Sequence, residues 1–156
     1  AVLAIAIVEF VLVVRWNAFY FTAGIPIFWR RVDRPSGLRD VDFDELQKRC
    51  ATAAGAPIVF HRLGPDAIAF REAVAGGLIH YFPIMRGIIR HRPEESSVVV
   101  SGLVKWWVVA LLGLFTWYLR ANVMDVFIYL VPALGILYLI QAVRFARIAK
   151  ALRVNQ

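Results

Sequence analysis

The chain has 156 residues, 60% of them hydrophobic, with a mean hydropathy of +0.65 and a formal net charge of +7. An ordinary globular domain is nearer half apolar; here the surplus sits at 1–29 and 98–143, while 30–97 is balanced, with eleven Lys/Arg against nine Asp/Glu. The split excludes a uniformly greasy core, and the excess cations gather behind an apolar block (Arg144, Arg147, Lys150, Arg153), a placement that favours anionic lipid headgroups over nucleic acid.

The first block, AVLAIAIVEFVLVVRWNAFYF, offers fourteen residues before Arg15. At 1.5 Å per residue they reach about 21 Å, short of the roughly 30 Å of a hydrocarbon core. Counting on to Phe21 supplies the length. Arg15 then snorkels to the headgroups with Trp16 and Tyr20 at the same level. Residues 1–29 are thus expected to be a first transmembrane helix and its interfacial exit, closed by Arg30 and Arg31.

Residues 30–100 are expected to form a small α+β cytoplasmic domain. RPSGLRD at 34–40 reads as a loop. A helix follows, with Asp42 and Glu45 at capping-box spacing and Phe43, Leu46, Cys50 and Ala53 on one face; Gly55 and Pro57 stop it. Cys50 reads as a small buried residue. From Pro57 the apolar period becomes two, so 57–103 predicts antiparallel strands in a meander, punctuated by GPD, by GG at 76–77 and by PEES. IPIFWRRV can add a strand before the helix. His61, Arg62, Arg71, His80, Arg86, Arg90, His91 and Arg92 lie on or beside these strands. They form either a basic face toward lipid or a solvated sheet surface.

Beyond the strands, SVVVSGLVKWWVVALLGLFTWYLR predicts a second transmembrane helix over 101–121, with Lys105 snorkelling and Trp106, Trp107, Trp117 and Tyr118 as belts. Residues 126–143 are uncharged, predicting a third at 124–146, kinked at Pro132. RANVMD between them allows only a tight turn, so the two form a hairpin. A basic cytoplasmic tail occupies 147–156, with Lys150 beside Arg144 and Arg147 at the lipid interface. Flanking Lys/Arg put the N-terminus and the 120–125 turn outside, in a multi-pass protein of a bacterial-type inner (plasma) membrane.

Glu9 is the most informative single residue. A carboxylate half-way along a span is costly and faces protein. Its sharp reading is an ion or proton path; its bland one is a hydrogen bond to another helix. Gln141 in the third span is a candidate partner for such an intramembrane polar contact.

One cysteine excludes an internal disulfide, and three scattered histidines make no zinc spacing. No phosphate loop, GxSxG or HExxH occurs, so no catalytic residue, metal or cofactor is expected. The functional expectation is a non-enzymatic integral membrane accessory or scaffold subunit. It would brace a larger membrane complex, with anionic lipids and other membrane subunits, or copies of itself, as partners. The alternative is a homo-oligomeric channel or membrane effector regulated by its cytoplasmic domain. A small enzyme acting on lipid lacks an acid/base constellation.

Overall fold

The structure is a computed structural model that describes residues 2–33, 38–51, 57–73, 86–118 and 123–153. Five α-helices, one 3-10 helical turn (Pro93–Glu95) and five strands appear among them. In chain order the α-helices and strands are α1 (Val2–Val14), α2 (Ala18–Thr22), β1 (Pro26–Asp33), α3 (Phe43–Cys50), β2 (Ile58–Gly64), β3 (Ala67–Glu72), β4 (Arg86–Arg92), β5 (Ser97–Leu103), α4 (Trp106–Tyr118) and α5 (Val123–Arg153). The strands form one antiparallel sheet of order β1-β5-β4-β3-β2.

Residue parity sorts the sheet into two faces. Val32, Ile58, Ile68, Phe70, Ile89, Val98 and Val100 share one face and pack with Leu46 and Cys50 of α3 and with Phe145, Ile148 and Leu152 of α5. Phe145 stacks on Phe28 of β1, ring centroids 5.1 Å apart. The opposite face carries Ala69 beneath Val13 of α1 and Tyr20 and Phe21 of α2. The sheet is therefore a middle layer between α1/α2 and α3/α5. The α3 start has a plain local cause: the Asp42 carboxylate accepts the Asp44 N–H at 2.9 Å and the Glu45 N–H at 3.4 Å.

This architecture overturns the three-span membrane fold, and with it the multi-pass inner-membrane localisation. Among the described residues, no helix is long and apolar enough to cross a membrane. The first expected span stops early because the chain reverses: Trp16 takes a left-handed conformation (φ 51°) and α1 ends at Val14, a helix of 13 residues. At 1.5 Å per residue it is about 20 Å long. The expected second span loses its start to the sheet. Ser97–Leu103 is rich in β-branched residues and pairs with both β1 and β4, leaving α4 with 13 described helical residues.

Ile136, Tyr138, Leu139, Ile140 and Val143 of the expected third span are exposed, but the same helix runs on through residues 147–153 of the expected basic tail, and this end lies in the core: Phe145, Ile148, Ala149 and Leu152 are all buried. The α+β unit consequently takes in β1 at one end and α5 at the other, well past 30–100. The Gly76–Gly77 punctuation, Ala53, Gly55, His80, and Arg120 to Asn122 of the expected turn lie outside the described residues.

Candidate functional site

α1 is apolar on nearly every side, yet the residue it buries most deeply is its carboxylate. Glu9 is 1% exposed, with Val13 one turn on also buried. The Glu9 carboxylate accepts the Trp106 N–H at 3.1 Å and the Trp107 N–H at 2.9 Å, the first two residues of α4, and it accepts the Tyr20 hydroxyl. The first N–H groups of a helix lack intrahelical acceptors and carry partial positive charge. Glu9 therefore caps α4 from another helix, across 97 residues of chain.

The reversal after α1 delivers Tyr20. Asn17 caps α2 by accepting the Tyr20 N–H at 3.2 Å, which turns the Tyr20 ring back toward Glu9. Trp16, held in its left-handed turn, stacks on Phe21 at 5.3 Å and His61 at 4.9 Å, with the Arg71 guanidinium 4.5 Å from its ring centre. Such a cation over an indole recovers part of the hydration that burial removes.

Arg86 enters from β4 and is fully buried. Its guanidinium donates to the Tyr20 carbonyl and, at 2.6 Å, to the Val104 carbonyl, and lies 3.8 Å from the Tyr20 ring centre. Its Nε has no hydrogen-bond partner. Lys105, immediately before α4, is 7% exposed. Burial pushes its ammonium down to about 8, against the opposing pull of Glu9. Burial also raises the Tyr20 phenol well above its ordinary range, with Arg86 resisting and Glu9 adding to the rise. One carboxylate thus sits among two buried cations and a protonated phenol. The chemistry this supports is positional: it locks α1, α2, β4 and the start of α4 into one body.

A second buried pair holds the other face. Glu72 of β3 bonds Arg144 of α5. Arg144 is buried, and burial lowers its guanidinium, with Arg147 adding to the effect. Gln141 is buried on the same side of α5, three residues earlier.

The remaining interfacial candidates scatter. Arg15 is exposed at the end of α1, and Trp16 is half-buried in the stack just described. Arg30 and Arg31 are exposed on opposite faces of β1, Arg31 pairing with Glu95 at 3.1 Å. Trp106 meets Tyr20 edge-on at 5.3 Å, and Arg147 and Lys150 are exposed on α5. Lys105 and Arg144 thus lie in the interior, each drawn inward by a carboxylate. The expected basic sheet face is not continuous either, because α2 covers Arg86 and Trp16 covers Arg71. The sequence places Tyr20 only at an interface level and Arg86 only on or beside a strand, and it singles out nothing at Glu72. Their partners lie 11 to 72 residues away, and no local pattern marks such pairings.

Among the described residues no group of three His, Cys, Asp or Glu could hold a metal ion. No family model, curated protein or solved structure matches this chain.

Proposed function

We propose that the protein is a non-enzymatic accessory module that assembles with a larger protein complex, with the α1/α4 layer as its contact surface. The observation that supports this is the inverted α1. Its carboxylate is turned in, while Leu3, Ile7, Val8, Phe10, Val11 and Val14 are exposed, Leu3 by 74%. The adjacent α4 adds Val109, Leu114 and Trp117, the last 73% exposed. Monomeric proteins rarely leave contiguous apolar surface beyond a few hundred Å² uncovered unless something binds there. The Glu9 junction suits this role, because it fixes both helices in one orientation before any partner arrives.

Purification in mild detergent with cross-linking tests the reading. A second protein at fixed stoichiometry is the expected result, lost in Phe10→Glu. A stable monomer under the same conditions, or capture only by lipid vesicles, would sink it. A closed ring of identical chains would replace the larger partner by self-association.

A further inference from the structure

Across the sheet from the α1/α4 layer, β1 and α5 enclose a groove of about 540 Å³ lined by Arg30, Val143, Ala146, Arg147, Lys150 and Arg153. On α5 the spacing of 143, 146, 147, 150 and 153 places these side chains along one stripe. That stripe flanks the buried one formed by Phe145, Ile148 and Leu152. Arg30 arrives from the sheet: parity puts it on the α5 side of β1, between Phe28, which stacks on Phe145, and Val32 in the core.

Four cations therefore converge on one concavity. Among the described residues none of the four is in an ion pair, although Arg31 and Arg92 nearby both reach Glu95. Cations in the last turns of a helix offset its dipole, which amounts to about half a charge. Three residues on α5 exceed that need, and Arg30, on a strand, has no such role. Val143, 53% exposed, and Ala146 supply an apolar floor. The volume falls within the roughly 300–1,000 Å³ of small-molecule sites.

We infer that this groove binds a phosphate monoester, its dianion held by Arg30, Arg147, Lys150 and Arg153 and its organic part lying on Val143 and Ala146. Guanidinium groups match phosphate oxygens in pairs, and Lys150 adds a point charge. The same chemistry is presented by a free organic phosphate and by the headgroup of phosphatidic acid. The inference is independent of the assembly surface, which lies on the other face of the sheet.

Two arms separate the sources. In one, phenyl phosphate is titrated into the full chain and followed by nuclear magnetic resonance. In the other, the chain is floated with phosphatidylcholine vesicles made with or without phosphatidic acid. Arg147→Glu is the test variant, and Arg39→Glu, an exposed arginine outside the groove, controls for net charge. Saturable phenyl phosphate binding, weakened on the order of tenfold or more in Arg147→Glu and little changed in Arg39→Glu, supports a free phosphate. Flotation only with phosphatidic acid, lost in Arg147→Glu alone, supports the headgroup. No binding in either arm overturns the inference, as does equal behaviour of the two variants. Both variants change exposed residues, so equal melting temperatures confirm that folding is intact.

Discussion

At the residue scale the buried carboxylate is the most testable feature. Glu9→Gln keeps an oxygen for the α4 N–H groups but removes the charge facing Lys105. Glu9→Leu strands two N–H groups, the Tyr20 hydroxyl and a buried ammonium together. Unsatisfied buried groups cost about 1–3 kcal/mol each. With three donors stranded, urea denaturation should show Glu9→Leu less stable by at least about 3 kcal/mol, and Glu9→Gln, which keeps one acceptor oxygen, should lose less.

Lys105 gives a signed dependence on pH. Its folded value is depressed below the ordinary lysine value of 10.5 to about 8. Between those values the unfolded chain holds a proton that the folded chain has lost, so this residue makes stability rise with pH across that window. Cys50 is raised from 9.0 to about 11 and acts in the opposite sense from pH 9 upward, as does Tyr20 from its ordinary 10.0. Thermal melts should therefore show a gain from pH 8 to 9 that disappears in Lys105→Met, then a plateau to about pH 10 and a decline beyond it. A flat profile identical in both proteins would remove Lys105 from the interior.

At the element scale, local chemistry was legible where one short stretch decides the outcome. Asp42 and Glu45 marked the start of α3, and alternation from Pro57 marked where β2 to β5 lie. The spans failed because hydropathy reports greasiness without saying what removes it from water. Ser101 to Leu103 fall both in the expected strand region and in the expected second span; cross-strand pairing with β1 and β4 decides in favour of the sheet. Trp16 read as a membrane-belt residue, and nothing in its neighbours announced the left-handed turn that ends α1.

The glycines of the sheet record the same non-local packing. A Cβ at Gly102 would overlap the Phe145 ring of α5, whereas one at Gly64 would meet open space. Gly102→Ala should cost about 1–3 kcal/mol by overpacking, measured by chemical denaturation. Gly64→Ala should be neutral or slightly stabilising.

At the scale of the whole molecule, two helical layers on one sheet leave the outer surface of α1 and α4 apolar. Val8→Glu should leave the melting temperature within a few degrees of the parent, since that side chain is 56% exposed. The same change should abolish cross-linking to a partner. Unfolding by Val8→Glu would mean that its face is internal to this chain after all. The partition of the chain was only partly legible for a related reason. Composition separated 30–97 from its flanks, but the flanks supply β1, β5 and the buried residues of α5 that close the core.

The sheet order has a consequence for the timing of synthesis. β1 pairs with β5, and Glu9 finds its N–H donors only at Trp106 and Trp107. Until the polypeptide has been made past that point, α1 emerges as a bare apolar rod bearing a carboxylate with nothing to cap. β1 likewise waits as an unpaired strand while β2, β3 and β4 are still being translated. Contacts of such long separation form slowly, and exposed strands and greasy helices aggregate meanwhile. Ribosome-bound chains arrested before Leu103 should therefore recruit chaperones far more strongly than the released 156-residue chain.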